Sequence, residues 1–374
     1  MRNIEMVDLK TQYQAIKPDI DKAIQDVLDS VRFINGKIVS DFAANLAAYL
    51  KVKHVIPCAN GTDALQIALM GLDLQPGDEV ITPSFTYVAT VEVIALLKLR
   101  PVFVEVNTDT FTLDPASVEK AITPKTKAIV PVHLYGQTAD MQPILDIAKK
   151  HNISIIEDNA QAIGAEYYFA DGRKVKTATM GKAGCFSFFP SKNLGGYGDG
   201  GAICTNDDEF AAKLKMIVNH GQRVQYYHDT IGVNSRLDSM QAAILNVKLS
   251  HLDKYIDARR KAAAFYDKVF QNSKAITVPV EAKYGKHVYH QYTIKVTDRR
   301  NELQKYLADK KIPSMIYYPV PAHLQKAYSY YGFGQGDFPA TEKLCQHVIS
   351  LPMHTELDEE QLNYITENVL NFYN

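Results

Sequence analysis

One lysine, Lys192, stands between an aromatic stretch and a run of glycines in AGCFSFFPSKNLGGYGDGGAICTN (183–206). That neighbourhood suits an amine that must react. A lysine that forms an imine with an aldehyde needs few waters around it and a lowered pKa, so that the neutral amine is available. Phe186, Phe188 and Phe189 are expected to supply an apolar wall. The glycines from Gly195 to Gly201 let the backbone turn tightly beside a ligand. GYGDGG (196–201) also satisfies G-x-G-x-x-G. A dinucleotide site needs a helix after that pattern, and the apolar AICT that follows reads as a strand.

Two further stretches carry complementary chemistry. IIEDNAQAIGA (155–165) delivers Asp158 to the end of an apolar strand. A carboxylate there can pair with a protonated pyridine nitrogen and keep the ring able to accept electrons. Taken alone, Asp158 reads as a helix N-cap. Gln161 follows one turn later and is placed to contact the ring hydroxyl or a substrate. CANGTDALQIALM (58–70) opens a helix at Gly61, Thr62 and Asp63. Free N–H groups at a helix start, with the dipole behind them, favour a phosphate. Thr62 adds a hydroxyl, and Ser187, five residues before Lys192, offers a second one.

The elements that must hold these residues alternate between strand and helix. Residues 61–73, 90–99 and 143–152 have helical apolar spacing, while 76–83, 101–106, 127–134 and 153–158 read as turn-bounded strands. Such alternation predicts an α/β fold with a mostly parallel sheet covered on both faces, and ligands beyond the carboxyl ends of the strands. Asp158 and Tyr135 fall at such ends. After about residue 245 the texture changes. Residues 249–271 read as one long amphipathic helix, 287–296 as a half-buried strand and 301–311 as a helix. The expected division is a large domain, 1–250, with a largely helical N-terminal segment, and a smaller α+β domain, 251–374.

Composition sets outer limits. The 374 residues are 46% hydrophobic and 22% charged, ordinary globular values. Lys plus Arg number 41 against 42 for Asp plus Glu, a net charge of −1. That balance gives no reason to expect nucleic acid or an anionic membrane as partner. No stretch approaches the roughly 20 apolar residues that span a bilayer. The N-terminus lacks a signal-peptide core. The scattered cysteines, Cys58, Cys185, Cys204 and Cys345, are expected to be reduced core thiols in a cytoplasmic protein, with no metal site.

NGTDAL, PSFTYVAT, EDNAQA, FSFFPSKNLGGYGDGGA and GVNSRLDSMQAAIL occur in this order. Together they resemble the DegT-type sugar aminotransferases, over nearly the whole chain from VDLKTQY (7–13) to SLPMH (350–354). The resemblance implies a three-layer fold-type-I enzyme that uses pyridoxal 5'-phosphate (PLP) and works as a homodimer with shared active sites. It implies glutamate as amino donor and a nucleotide-linked keto sugar as acceptor. Carried over residue by residue, Lys192 matches the Schiff-base lysine and Asp158 the pyridinium partner. Tyr87 matches the aromatic stacked on the ring. Gly61, Thr62, Asp63 and Ser187 match the phosphate cradle, and Asn234 the asparagine that reaches the phosphate from the other subunit. His133 is a candidate brace for Asp158. Relatives with histidine in place of the lysine remove a hydroxyl, so Lys192 implies transamination.

Substrate contacts are expected from Arg223 and Arg236, and from Tyr317, Tyr318 and His323 in MIYYPVPAHLQKAY (315–328). The segments look most similar to relatives that aminate carbon 3 of a UDP-linked 3-keto sugar, which points to surface polysaccharide such as lipopolysaccharide O-antigen. A dTDP-linked 3-keto-6-deoxyhexose and carbon-4 amination are the alternatives within the family. A catalytically silent nucleotide-sugar-binding protein is the alternative outside it.

Overall fold

The computed structural model describes residues 2–373. A seven-stranded sheet organises the first part of the chain. From one edge to the other it runs His54–Cys58, Gly201–Thr205, Ala183–Ser187, Ser154–Asp158, Thr126–Ile129, Glu79–Pro83 and Arg100–Val104. Gly201–Thr205 runs antiparallel to both of its neighbours, and the remaining pairs are parallel.

Side chains alternate across this sheet, as the period of a strand requires. Val80, Ala128, Ile156, Cys185 and Ile203 face one apolar cluster, with the helices Gly61–Gly71 and Asp208–Ile217. On the other face, Ile81, Ile129 and Ile155 pack with the helix Met141–His151, and Phe186 and Cys204 with the helix Lys37–Leu50. Both faces are therefore dry, and the strands read as nearly continuous apolar runs. All four cysteines are buried and free.

A second core gathers around a three-stranded antiparallel sheet of Ile276–Thr277, Tyr292–Val296 and Val348–Leu351. The helices Leu252–Phe270, Arg300–Asp309 and Glu359–Tyr373 cover it, and Ile4 joins it from the other end of the chain. Leu252–Phe270 serves both cores. Leu252 and Ile256 pack into the large-sheet cluster, while Ala262, Ala263, Tyr266 and Phe270 pack into the second.

Two expected strands are shorter than the sequence suggests. The 127–134 strand ends at Ile129, just before Pro131, which has no N–H to offer a ladder. The expected 249–271 helix forms as Leu252–Phe270, preceded by a separate helix Ser239–Leu249. The 287–296 strand begins only at Tyr292. Tyr289 is left-handed there (φ 44°), and the carbonyls of Tyr289 and His290 accept from buried Arg259 rather than from a neighbouring strand. Among the described residues, no helix is long and apolar enough to cross a membrane.

Candidate active site

A cavity of about 740 Å³ lies beyond the carboxyl ends of the parallel strands. Of the residues singled out from the sequence, Gly61, Thr62, Asp63, Tyr87, Asp158, Gln161, Ser187, Lys192, Tyr317 and Tyr318 line it.

Lys192 reaches the cavity from the loop that joins Ala183–Ser187 to the antiparallel strand Gly201–Thr205. The loop is tied at its base. Phe188 N–H donates to Gly200 at 2.7 Å, and Gly196 N–H donates to Phe188 at 2.8 Å. Burial brings the Lys192 pKa down to about 8, against the opposing pull of the Asp158 charge. The apolar wall is narrower than expected. Phe189 lines the cavity, whereas Phe186 and Phe188 point into the core behind the strand.

Asp158 ends its strand almost fully buried. Burial pushes its carboxyl above the ordinary value, while hydrogen bonds from Thr90 and Ala160 and the charge of Lys192 pull it back. Thr90 Oγ1 donates to Oδ2 at 2.8 Å and Ala160 N–H to Oδ1 at 3.1 Å. Thr90 is a support the sequence reading missed. It lies in the helix Val88–Leu96, far along the chain from the strand it serves.

His133 is not a side-chain brace for Asp158. Its Nδ1 accepts from Ala139 N–H at 3.0 Å, so its proton sits on Nε2, which donates to Glu157 at 2.9 Å. Only the His133 backbone N–H meets Asp158, at the carbonyl. Glu157 faces away from the cavity and also accepts from the N–H groups of Ala178, Met180 and Gly181 at 2.7–2.8 Å. The adjacent carboxylates thus divide their work, with Glu157 holding a turn and Asp158 facing the cavity. Gln161 is held at both ends of its amide, accepting from Tyr135 N–H at 2.7 Å and donating to Tyr318 Oη at 3.1 Å.

The helix Gly61–Gly71 starts at the cavity. Asn60 caps it, its side chain accepting from Asp63 N–H at 2.8 Å. The N–H groups of Gly61 and Thr62 belong to the first turn and have no acceptor within the helix. A Cβ added at Gly61 would lie 2.6 Å from Ser187 Cβ, so only glycine allows the helix start and the Ser187 strand to close this cradle. The Asp63 carboxylate is turned aside and accepts from Ser235 Oγ at 2.6 Å. Asp63 therefore contributes alignment to the cradle, with both its N–H and its side chain already committed.

Tyr87 stands at the cavity mouth, 56% exposed, its ring centroid 6.1 Å from that of Tyr318. His290 and Gln291 also line the cavity, from the segment that failed to extend its strand. No local pattern in the sequence marks them.

Four expected residues do not meet the cavity within one chain. His323 is 1% exposed, with Ser84 Oγ 2.6 Å from its Nδ1 and Glu342 3.3 Å from its Nε2. Both ring nitrogens are engaged and packed against Phe103 and Phe338, so His323 has no edge left for a substrate. Arg236 lines a separate cavity of about 270 Å³ with Asn35, Lys215 and Asn219. Arg223 lies on an exposed hairpin, Gln222–Val224 with Tyr227–His228, where Asp229 is 3.6 Å away. Asn234 is exposed and bridges to Asn219.

The model of the DegT/DnrJ/EryC1/StrS aminotransferase family matches residues 14–370. The chain belongs to that family. It is 49% identical over 373 residues to a Geobacillus stearothermophilus protein named "Pleiotropic regulatory protein", covering 99% of each chain. It is 45% identical to the UDP-2-acetamido-2-deoxy-3-oxo-D-glucuronate aminotransferase of Pseudomonas aeruginosa, covering 98% of this chain and 100% of the relative. The crystal structure of Streptomyces venezuelae DesV with a ketimine intermediate superposes with a TM-score of 0.95 at 41% identity, covering 100% of this chain and 99% of that one. The protein is a PLP-dependent aminotransferase of fold type I. Its cavity fits that cofactor. A lysine of lowered pKa, a buried carboxylate and a helix start closed by glycine line one space of adequate size.

Proposed function

We propose that this aminotransferase moves an amino group from glutamate to carbon 3 of a UDP-linked 3-keto sugar, in the cytoplasm, for a surface polysaccharide. The observation that carries the chemistry is Lys192 beside Asp158 in one cavity, with the lysine amine brought down to about 8. Similarity across the full length of the Pseudomonas aeruginosa aminotransferase supports the UDP-linked acceptor.

Bound PLP supplies an aldehyde carbon that carries nitrogen and a ring that accepts electrons. The Gly61 and Thr62 N–H groups, with the hydroxyls of Thr62 and Ser187, would hold its phosphate. Asp158 would offer its carboxylate to the ring nitrogen, and Thr90 holds that carboxylate in place. Lys192, as a neutral amine, would carry the proton that the amino donor gives up and supply one to the carbon of the sugar that receives nitrogen. Tyr87 and Tyr318 flank the ring space, and Gln161 is oriented toward the same space by its two hydrogen bonds. Arg223 and Asn234 act in the cavity of a second copy in a homodimer. The division near residue 250 separates the PLP-binding part from a smaller part that shapes the sugar site.

Turnover against UDP- and dTDP-linked 3-keto and 4-keto sugars, with the new nitrogen located by NMR, tests the assignment. Highest turnover at carbon 3 of a UDP-linked sugar is expected. A preference for a dTDP-linked sugar or for carbon 4 overturns the substrate while leaving the reaction. Borohydride treatment of PLP-loaded protein tests the reaction itself. Failure to add the cofactor mass to the Lys192 peptide overturns it.

A further inference from the structure

Two irregular segments, far apart in the chain, bring aromatic rings to the cavity. Residues 84–87 join the strand Glu79–Pro83 to the helix Val88–Leu96 and place Thr86 and Tyr87 at its wall. Residues 315–325 come from the later part of the chain and place Tyr317 and Tyr318 there. Neither segment forms a strand. The rings of Tyr87 and Tyr318 nevertheless keep their centroids 6.1 Å apart. Their spacing therefore has to be set by contacts outside the cavity.

One buried joint ties the two segments directly. Ala322 N–H donates to the Ser84 carbonyl at 2.8 Å. Ser84 Oγ lies 2.6 Å from His323 Nδ1, and Glu342 Oε1 lies 3.3 Å from His323 Nε2. A carboxylate only accepts, so Nε2 carries the proton and Nδ1 accepts from the Ser84 hydroxyl. Glu342 is held in turn by Gly336 N–H, which donates to it at 2.7 Å. Burial lowers the His323 pKa, against the pull of Glu342, Asp337 and Glu105, so the ring is neutral. From Ser84 the chain leads on toward the chemistry. Two residues later, Thr86 Oγ1 lies 3.2 Å from Thr90 Oγ1, the hydroxyl that donates to Asp158.

Ser84 and His323 are buried, and buried polar groups cost stability unless each is paired. An apolar pair would fill the same space without that demand. What a hydrogen bond adds is direction, a fixed distance and angle between the pieces it joins. We infer that, with the cofactor ring lying between Tyr87 and Tyr318 as proposed above, His323 is a positioning residue for the transamination. Through Ser84 it sets the separation of the two tyrosine-bearing segments, and so the seating of the ring between them. It does this without touching the cavity itself.

Two substitutions at this one position separate such a role from packing. Asparagine puts an amide where Nδ1 lies and can still accept from Ser84. Glutamine reaches the place of Nε2, keeps Glu342 and leaves the Ser84 hydroxyl without its acceptor. The visible circular dichroism of the bound cofactor, recorded on full-length PLP-loaded protein before any donor is added, reports the seating of the ring. His323→Asn should keep the band of the unsubstituted protein, while His323→Gln and Ser84→Ala should each weaken it. The double variant Ser84→Ala/His323→Gln should do no worse than either alone, because both break the same bond. Single-turnover reaction with glutamate should slow about tenfold or more in the same variants and keep its rate in His323→Asn. The band is read without donor or acceptor, so a wrong choice of sugar or donor leaves this comparison standing. Tyr87→Leu in the same assay should also weaken the band. An intact band there sinks the placement of the ring and the inference with it. A band weakened in Tyr87→Leu but intact in His323→Gln and Ser84→Ala, with only their unfolding temperature lowered, overturns the inference alone. So does an equal loss in His323→Asn and His323→Gln. Ser84→Ala removes a single oxygen and carries the test if the histidine variants fail to fold.

Discussion

Lys192 and Asp158 act on each other in opposite senses. Burial lowers the lysine to about 8, and the aspartate charge raises it. Asp158→Asn removes the raising influence, so the lysine falls further. The neutral fraction of an amine grows as pH rises through its pKa. Capture of added PLP by the apo protein should therefore speed up with pH and level off above about 8. In Asp158→Asn the plateau should begin at lower pH. Stopped-flow absorbance measures both, and identical profiles would contradict the coupling. The same shift affects stability. Between about 8 and 10.5 the unfolded chain binds more protons at this site than the folded one, so the Lys192 contribution to apo stability rises with pH across that window. Lys192→Ala should lower turnover roughly a thousandfold or more, measured with glutamate and the keto sugar.

These residues were legible because the chemistry narrows the choice. A lone lysine among aromatics and glycines, and an aspartate ending an apolar strand, have few other uses together. His323 and His133 were misplaced for the opposite reason. Histidine suits both a substrate and a buried polar joint, and only the distant partners Ser84, Glu342 and Glu157 decide between them. Thr90 went unnoticed because a threonine carries no chemical signal until its acceptor is known.

At the level of strand, turn and helix, the cradle depends on the absence of a side chain. Gly61→Ala places a methyl 2.6 Å from Ser187 Cβ, so the helix start and the strand must separate. Alanine suits a helix better than glycine, so the loss should appear in ligand affinity rather than helicity. PLP affinity is expected to fall about tenfold or more with far-ultraviolet circular dichroism unchanged, a separation that a fluorescence titration checks. Glu157 is the corresponding structural joint. Glu157→Gln keeps one acceptor oxygen for Met180 and Gly181 but turns an NH2 group toward Ala178 N–H and His133 Nε2–H, and unmatched buried donors cost about 1–3 kcal/mol each. Chemical denaturation should show stability reduced by about 2 kcal/mol or more. Helix positions were readable from apolar spacing, but the strand expected at 287–296 was not readable to its true start. A buried arginine that takes backbone carbonyls leaves no trace in the alternation of nearby residues.

Across the whole molecule, the two ends of the chain meet in the second core. Ile4 is buried there, and Arg2 Nη2 donates to Asp358 at 3.0 Å. Ile4→Ala should cost about 2 kcal/mol by equilibrium unfolding, although the residue lies far in sequence from the core it fills. A normal stability for this variant would mean that the N-terminus does not dock. The change of texture near residue 245 was visible in the sequence. What joins the two cores was not, because the helix Leu252–Phe270 has one continuous amphipathic pattern while its two halves face different partners.

That helix acts like a beam set into masonry at both ends. Large swings of one half of the molecule about the other would have to bend it or pull one end free. Substrates must therefore come and go past small, surface-borne pieces such as the Tyr87 ring, with the two halves holding still.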